Sequence, residues 1–539
     1  MADPVLTVAE LLRPTFTHIA GGVDSDPVVR RSDRADAQVN GSLALAKALG
    51  KTPREVAQMV LDAVDLSKVC SATEIAGPGF INVTFSNEFL ASELAAAAAD
   101  VRLGVRNAPA KLKVVVDYSA PNVAKEMHVG HLRSTVIGDA LVRMFEFVGH
   151  SVVRENHIGD WGTPFGMLIE HLIDLGETEA ANELSVGDLD SFYRQARTKF
   201  DSNDEFKERA RARVVLLQGG DDETLRMWKL LVGESTRYFD KVYRTLGVLL
   251  TADDLMGESA YNPLLAQVVD RLRASGLIEI SDGAEVVFPD GFLNRENEPL
   301  PLIIRKTDGG YNYATSDLAC VIDRVERIGA NVVLYVVGSP QAQHLEMVAV
   351  VSRKAGWVPE STELTHVAFG NVLGADRKIL KSRSGEVVKL DALLTESVER
   401  AAEAVKEKNA ELPAAQQAEV ARQIGIGAVK YADLSTDRIK DYVFDWERML
   451  AFEGNTSPYL QYAHARICSI FRKAGVERAS VRGITPTVEH NAERALTMRL
   501  LQFDTAVWDT LDKYSPHRLC TYLFELASEF SSFYEHCPV

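Results

Sequence analysis

One stretch of thirteen residues limits what this chain can be more than any other feature of the sequence. It begins at Ser119 and ends in an HxGH element formed by His128, Gly130 and His131. A short apolar run precedes the stretch, and an amphipathic segment from residue 132 to residue 147 follows it. This order predicts that the two histidines lie where a parallel strand passes into a helix.

A junction between a strand and a helix is a favourable place for an anion, because the free amides and the positive end of the helix dipole face it. Gly130 lets a base or sugar approach the backbone, and the two imidazoles can donate to phosphoryl oxygens as charge develops. With 12 histidines and 36 glycines in 539 residues, HxGH arises by chance in roughly 2% of such chains. By itself the element therefore leaves open a pair of capping or packing histidines.

Strand-like apolar runs alternate with helical patterns from Leu112 to about Lys389, which predicts a parallel α/β sheet. The sequence contains neither GxGxxG nor GxxxxGK[ST], which argues against a dinucleotide enzyme and a P-loop NTPase. A charged helical segment between about residues 170 and 250 is predicted to be an insertion on this nucleotide-binding fold. The predicted strands are Val114–Val116, Val152–Arg154, Leu302–Ile304, Val332–Val337 and Val367–Phe369.

The regions on either side of this fold have different patterns. From Ala392 to Glu535, apolar residues recur every three or four positions, which predicts a helix bundle. Residues 1–107 predict a small α+β unit with a strand at Phe80–Phe85. Its helices are predicted at 7–20, 41–49, 53–64 and 87–101.

Composition narrows the class of protein further. The net charge of −17 and the pI near 5.3 argue against a protein that coats nucleic acid indiscriminately, so an RNA partner needs local basic patches. The five cysteines are scattered and never in CxxC spacing, which fits a reducing cytoplasm without a zinc site. No apolar run approaches the length of a membrane span. One basic patch consists of Arg377, Lys378, Lys381, Arg383 and Lys389, although a solvated basic loop is an equally good reading.

The pattern SxPNxxKxxHxGH, followed by Asn-His-Ile-Gly-Asp-Trp-Gly-Thr at 156–163, resembles arginyl-tRNA synthetases, which are class I aminoacyl-tRNA synthetases. The resemblance extends from about residue 30 to the end of the chain. It implies a class I Rossmann-like catalytic domain at 108–390, an N-terminal α+β domain at 1–107 that contacts tRNA, and an α-helical anticodon-binding domain at 391–539. It also implies a monomer that activates L-arginine with ATP and Mg²⁺ and transfers it to tRNA(Arg), with no structural metal. The alternative is a non-catalytic synthetase-like protein that only binds tRNA.

The resemblance also implies which residues handle the phosphates. His128 and His131 are expected at the α-phosphate, Gly130 at a close approach of ATP, and Lys125 as an added positive charge. Lys378-Ile-Leu-Lys381-Ser keeps the K-x-x-K-S skeleton of the class I KMSKS loop but replaces its middle Met-Ser. Because the second lysine is the steadier element of that motif, we expect Lys381 to matter more than Lys378.

For the amino acid, a guanidinium requires carboxylates, and planar side chains can stack on it. The resemblance implies Glu258 and Asp317 for the guanidinium, Tyr313 for hydrogen bonding or stacking, and Asn122 and Gln341 for the α-amino and carboxylate end. From the sequence alone, Glu258 and Asp317 are two of 76 acidic residues, for which a surface position is the usual role. Ser119 is expected to bind arginine, His344 to bind ATP, and Trp161 to lie nearby.

For tRNA, the resemblance implies contacts from Gln38 and Asn40, which would otherwise be turn or cap residues. The family usually has an aromatic residue where this chain has Ala37. Tyr462 and Arg466 are expected to contact the anticodon, because an aromatic ring and an arginine on one helix face suit an unstacked base. Ordinary bundle packing is the alternative for this pair.

Two departures from the family pattern stand out. Pro164 occupies a position at which many relatives have Gln, and a turn tolerates it. The family typically continues for several tens of residues beyond the region of Val539, so we expect the anticodon-binding domain to be shortened.

Overall fold

The computed structural model describes residues 3–176, 189–381, 387–408 and 410–537. The chain forms two compact units, one made of Met1–Ala108 with Phe452–Val539 and the other of Pro109–Ala451. The strands are β1 (Val29–Arg30), β2 (Ala37–Val39), β3 (Cys70–Ala76), β4 (Phe80–Phe85), β5 (Lys113–Asp117), β6 (Ser151–Glu155), β7 (Glu279–Ser281), β8 (Ala284–Val287), β9 (Leu302–Arg305), β10 (Val332–Tyr335), β11 (Glu363–His366), β12 (Val372–Leu373) and β13 (Tyr442–Val443).

The α-helices of the described residues are numbered in chain order. In the first half of the chain they are α1 (Pro4–Ile19), α2 (Ser42–Leu49), α3 (Pro53–Ala63), α4 (Asn87–Ala99), α5 (Val129–Phe147), α6 (Pro164–Leu175), α7 (Leu189–Ser202), α8 (Asp204–Gly219), α9 (Asp222–Leu246) and α10 (Asn262–Ala274). In the second half they are α11 (Tyr313–Ile322), α12 (Ala342–Lys354), α13 (Leu390–Lys408), α14 (Ala414–Leu434), α15 (Trp446–Met449), α16 (Ser457–Ala474), α17 (Asn491–Leu500), α18 (Phe503–Asp512) and α19 (His517–His536).

The core of the larger unit is a parallel sheet with the strand order β11-β10-β5-β6. Every neighbouring pair is parallel, and Val115 of β5 lies opposite Val333 of β10 and Val153 of β6. All three valines of the run 114–116 are fully buried, as expected of a strand covered on both faces. The predicted parallel α/β sheet is therefore confirmed, and its carboxyl edge is where a ligand is expected.

Two of the five predicted strands do not lie in this sheet. Leu302–Ile304 belongs to β9, which is the edge of a separate antiparallel sheet with the order β7-β8-β9. Its alternating burial, with Ile303 exposed between two buried neighbours, suits a sheet with one wet face. The segment Val367–Phe369 follows β11 instead of forming a strand, because the parallel pairing with β10 ends at His366.

The helical insertion predicted at about 170–250 is present as α7, α8 and α9, although part of it lies outside the described residues. Helices α13 and α14 pack against each other and on α5. They therefore belong to the same compact unit as the parallel sheet. This grouping differs from the predicted division, in which residue 391 begins the helical domain.

In the smaller unit, four helices and the antiparallel sheet β1-β2-β4-β3 occupy the N-terminal part. The four predicted helices and the strand Phe80–Phe85 all form, with ends shifted by a few residues. Leu501 of the C-terminal helices packs into the core of this N-terminal part. Arg106 also donates to Asp504 across the two parts, so the segments fold as one body.

None of the described helices has both the length and the apolar composition needed to span a bilayer.

Candidate active site

The HxGH element lies at the carboxyl end of β5, where α5 begins. His128 is the N-cap of α5, and its Nδ1 accepts a hydrogen bond of 3.0 Å from the amide of Gly130. The amide of His128 in turn donates to Nδ1 of His131, also at 3.0 Å, so the turn is a reciprocal capping box. The two rings lie 4.0 Å apart. A side chain at position 130 would collide with the His128 ring at 2.8 Å, which explains the glycine.

These amide bonds determine where the ring protons lie. Because Nδ1 of each imidazole accepts from a backbone amide, a neutral ring must carry its proton on Nε2. Burial and the neighbouring His128 lower the pKa of His131 to about 3, and burial also lowers the pKa of His128. We therefore expect both rings to be neutral at physiological pH, with the Nε2–H left to donate to a phosphoryl oxygen.

The loop between β5 and α5 is held by buried polar groups. Ser119 and Ala120 have positive φ values of 75° and 46°, which is a strained conformation for residues with a side chain. The hydroxyl of Ser119 bonds to Tyr243 at 2.8 Å and accepts from Thr135 at 2.9 Å. With a side chain that is almost fully buried, Ser119 supports the loop. The expectation that it also binds arginine stays a prediction.

Asn122 lies further along this loop, next to the segment that follows β6. The amide of Val123 donates to the carbonyl of Gly159 at 3.0 Å, and a side chain at position 159 would collide with that of Asn122. Asn122 itself is exposed. Trp161 packs edge-on against Trp228, so it contributes to the contact between this segment and α9.

The lysine loop is a small hairpin built on β12. Leu373 pairs with Ile379, and the amide of Gly374 donates to the carbonyl of Lys378 at 2.8 Å. Lys378 and Lys381 are both exposed. Residues 382–386, including Arg383 of the predicted basic patch, lie outside the described residues.

Both ends of the lysine loop connect to other parts of the unit. At its base, β12 pairs with β13 in parallel. At its exit, the carbonyl of Val388 accepts from the amide of Val129, and the amide of Leu390 donates to Met127 at 2.8 Å. Residues 388–390, which follow the lysine loop, are thus hydrogen-bonded directly to the HxGH turn.

A small polar pocket lies beside the HxGH turn. Its walls include Lys125 and His128 from the turn, and Tyr193 and Asp190 from α7. The ammonium of Lys125 lies 4.5 Å from the centre of the Tyr193 ring, within range of a cation–π contact. The structure therefore places Lys125 beside the HxGH turn, and its contact with the phosphates stays a prediction.

The predicted arginine-binding residues converge on the ends of β6 and β10. Glu258 begins a short 3₁₀ helix, and its amide donates to the carbonyl of Ile158 in the segment after β6. Asp317 and Tyr313 lie one turn apart on α11. Burial raises the pKa of Glu258 to about 7, and the carboxylates of Asp160 and Asp317 add to the shift. A guanidinium placed here would relieve that cost.

His344 and Gln341 follow β10, at the start of α12. Nε2 of His344 lies 2.5 Å from Oδ2 of Asp317, and its ring lies 4.7 Å from that of Tyr313. The structure thus places His344 among the residues predicted for arginine, although the sequence suggested ATP. Gln341 is exposed at the end of a short 3₁₀ helix.

His157, Asp317 and Cys320 form the one group of described residues whose ligand atoms are close enough to hold a metal ion, all within 4.8 Å. Nδ1 of His157 already bonds to the carbonyl of Met256 at 3.0 Å, and Asp317 is bonded to His344. These hydrogen bonds account for the group, and we assign no metal to it.

Comparisons with known proteins agree with this geometry. The family model described as tRNA synthetases class I (R), catalytic domain, matches residues 93–446, and those of the arginyl tRNA synthetase N terminal domain and the DALR anticodon binding domain match 7–85 and 460–539. An arginine–tRNA ligase of Thermobifida fusca is 53% identical over 541 residues, spanning 100% of this chain and 93% of that protein. The chain belongs to the arginyl-tRNA synthetase family.

Other relatives agree. The arginine–tRNA ligase of Escherichia coli K12 is 49% identical over 99% of this chain and 92% of its own length. The crystal structure of arginyl-tRNA synthetase from Plasmodium falciparum matches with a TM-score of 0.84 at 27% identity, covering 99% of this chain and 92% of that one. The Thermus thermophilus arginyl-tRNA synthetase shares the fold, with a TM-score of 0.80 at 24% identity. The prediction of a catalytic arginine–tRNA ligase, rather than a protein that only binds tRNA, is confirmed.

In the smaller unit of this arginyl-tRNA synthetase, two predicted RNA contacts lie on or beside β2. The amide of the Gln38 side chain donates to Asn82 at 2.8 Å, and Asn40 is half-buried. Ala37 is fully buried, so a base cannot stack at that position.

In α16, Pro458 lies in the first turn as predicted, after the N-cap Thr456. The guanidinium of Arg466 donates to the Tyr462 hydroxyl at 2.6 Å and lies between the rings of Tyr462 and Tyr534, 4.8 and 4.7 Å away. The Tyr459 hydroxyl bonds to Ser531 within the bundle. Tyr534 could not be predicted from the local sequence, because only the packing of α19 beside α16 brings it to Arg466.

Two buried arginines of the synthetase were also missed. Arg324 donates to Asp117 at 2.7 Å and to Glu155 at 2.6 Å, which ties together the ends of β5 and β6. Arg133, two residues after the HxGH element, pairs with Asp433 of α14 at 3.2 Å and donates to the carbonyl of Lys440. Nothing in the local sequence distinguishes either arginine from a surface charge.

Proposed function

We propose that this chain ligates L-arginine to tRNA(Arg) in two steps at the carboxyl edge of the parallel sheet. The arginine carboxylate attacks the α-phosphorus of ATP, which forms arginyl-adenylate and releases pyrophosphate. A hydroxyl of the terminal ribose of the tRNA then attacks the arginyl carbonyl carbon, and AMP leaves. The observation that carries the proposal is that the HxGH turn after β5 and the carboxylate pocket after β6 and β10 occupy one sheet edge.

Positioning and charge stabilisation are sufficient for the first step, since phosphoryl-type transfer needs little covalent help from the protein. His128 and His131 would donate from Nε2 to oxygens of the α-phosphate, whose charge increases as the arginine carboxylate attacks. Lys125 supplies positive charge on the α7 side, and Lys381, with Lys378 behind it, supplies charge from the lysine loop. Gly130 keeps the turn open for the nucleotide.

Arginine would lie between α11 and the 3₁₀ helix that starts at Glu258. Glu258 and Asp317 are the proposed acceptors for the guanidinium, and Tyr313 is its planar neighbour. Asn122 and Gln341 are both exposed near the sheet edge, where they could bind the α-amino and carboxylate groups. This arrangement selects a long side chain with a planar cation at its end.

The remaining assignments concern partners. Mg²⁺ would accompany ATP, held mainly by phosphate oxygens and water, because Glu126 near the HxGH turn is already paired with Lys389. Gln38 and Asn40 would contact the tRNA body, and Tyr462 with Arg466 its anticodon. We further propose that the synthetase acts as a monomer in the cytoplasm.

The test is arginine-dependent ATP–pyrophosphate exchange, measured with and without tRNA(Arg). We expect Asp317→Ala to abolish the use of arginine while ATP still binds, as measured by equilibrium dialysis. Asp308, an exposed acid of the loop before α11, gives the matched control Asp308→Ala, which should exchange normally. Unchanged arginine kinetics in Asp317→Ala would overturn the pocket, and absence of exchange in folded wild-type protein would overturn the activity.

A further inference from the structure

We propose that His344 is a positioning residue of the arginine pocket that orients Asp317 and Tyr313, rather than a contact of ATP. This inference rests on the proposed function, because it concerns the same pocket. It differs from what the sequence pattern suggested, since the sequence placed His344 with the nucleotide.

The geometry of α11 and α12 supports the assignment. Tyr313 and Asp317 are four residues apart, so both project from the same face of α11. His344 lies in the first turn of α12, which packs against α11. Its single imidazole contacts both side chains, with Nε2 at 2.5 Å from Oδ2 of Asp317 and the ring 4.7 Å from that of Tyr313.

The hydrogen bond restricts how Asp317 can bind arginine. A carboxylate can only accept, so Nε2 of His344 must carry the proton and donate it. Oδ2 of Asp317 then accepts from His344, which fixes the plane of the carboxylate, and Oδ1 and the second lone pair of Oδ2 remain for the guanidinium. A freely rotating Asp317 would have to lose side-chain entropy on binding, and the bond to His344 removes that cost in advance.

The contact with Tyr313 has a similar effect. Tyr313 is 62% exposed, so little else in the described structure holds its ring. His344 itself is mostly covered, with 19% of its side chain exposed, and is therefore the better-fixed member of the pair. The tilted contact with His344, at an interplanar angle of 57°, limits where the Tyr313 ring can lie beside the guanidinium.

Two substitutions separate the two contacts. His344→Phe keeps a ring against Tyr313 but removes the donor to Asp317, whereas His344→Gln keeps a donor and removes the ring. For His344→Phe we expect KM for arginine to rise by about 10- to 100-fold, the usual range for a lost hydrogen bond to a charged group. KM for ATP should stay within twofold of wild type. His344→Gln should recover a large part of the arginine affinity.

The measurement is ATP–pyrophosphate exchange by the full chain with tRNA(Arg) present, varying arginine and ATP in turn. Glu346→Gln, at an exposed position of α12, is the matched control, and thermal melts check that each variant folds. A rise in KM for ATP with unchanged KM for arginine would overturn the proposal and restore the nucleotide role. Equal KM values in all variants would overturn both roles. If the wild-type protein itself shows no arginine-dependent exchange, that result overturns the proposed function, whatever the His344 variants do.

Discussion

The HxGH turn and the lysine loop are both expected to bind phosphates, yet they are built in opposite ways. In the turn, two imidazoles and two backbone amides hydrogen-bond to one another within four residues, and residues 132–139 of α5 behind them are all buried. The lysine loop is held by backbone hydrogen bonds of a small hairpin, and its residues Lys378, Ile379 and Lys381 are exposed. The imidazoles of the turn are oriented by hydrogen bonds within the protein, whereas the ammonium groups of the two lysines make no hydrogen bond or ion pair within the loop's described residues.

This difference indicates that the turn and the lysine loop have different roles in binding the phosphates. A donor that is already oriented costs no reorganisation when charge develops, which favours the turn as the place where the transition state is stabilised. An exposed lysine on a small hairpin is better suited to neutralise the outer phosphates as they arrive and leave. The pairing of residues 388–390 with 127–129 keeps the two motifs in register.

The largest effect is expected where the two regions are joined. Arg133 is fully buried, follows the HxGH turn, and contacts Asp433, Tyr442 of β13 and Phe369 before the lysine loop. Replacing it by Met leaves the Asp433 carboxylate buried without its partner, which should lower the free energy of unfolding by about 3–5 kcal/mol. Chemical denaturation measures this loss.

The control for Arg133→Met lies on the same partner helix. Arg422 of α14 pairs with Glu419 on the surface, so Arg422→Met should change stability far less. Equal stability of the two variants would show that Arg133 does not hold the HxGH turn to the base of the lysine loop.

The second prediction concerns the turn itself. His131→Ala removes one preset donor and the acceptor that caps the amide of His128. We expect the rate of ATP–pyrophosphate exchange to fall by about 100- to 1000-fold, the range for loss of a preorganised donor. KM for arginine should change little, because the arginine pocket is built from other elements. If His131→Ala instead raises only KM for ATP and leaves kcat normal, His131 contributes to ground-state binding. That result would weaken the contrast with the lysine loop.

The contrast also shows which features can be read from a sequence. The HxGH turn, the helix begun by Pro458 and the strand at Phe80–Phe85 are local patterns, and the structure has them where the sequence predicted. The separate sheet containing β9 was missed, because a strand of four residues carries no sign of its partner. The link between Arg133 and Asp433 spans 300 residues, and nothing local encodes it.

The proposed arginine pocket shows the same limit. A carboxylate such as Glu258 is one of 76 acidic residues in the chain, and only the family pattern distinguished it. Its burial and the crowding of Asp160 and Asp317 come from three segments that meet after folding. The role of His344 was missed for the same reason, since α11 and α12 must pack before it reaches Asp317.

The third prediction concerns the exposed lysine loop. Lys381→Ala should lower the exchange rate by about 10- to 100-fold through a lost charge on the outer phosphates, and Lys378→Ala should lower it less. Lys381→Arg should recover part of the rate, whereas an arginine cannot replace a preset imidazole in the turn. If the two alanine variants lose equal activity, the preference for Lys381 is wrong.

The smallest expected effect is a dependence of KM for arginine on pH, which we assign to Glu258 of the proposed arginine pocket. His131 has a pKa of about 3 and so stays neutral between pH 6 and 8, whereas Glu258 has a pKa of about 7 in the arginine-free protein. The guanidinium binds the carboxylate form, so affinity is full above the pKa and falls as pH drops below it. KM for arginine should therefore be about tenfold higher at pH 6 than at pH 8. In Glu258→Gln, KM should be raised and nearly independent of pH, whereas an unchanged slope in that variant would place the titrating group elsewhere, in the phosphate motifs or in ATP itself.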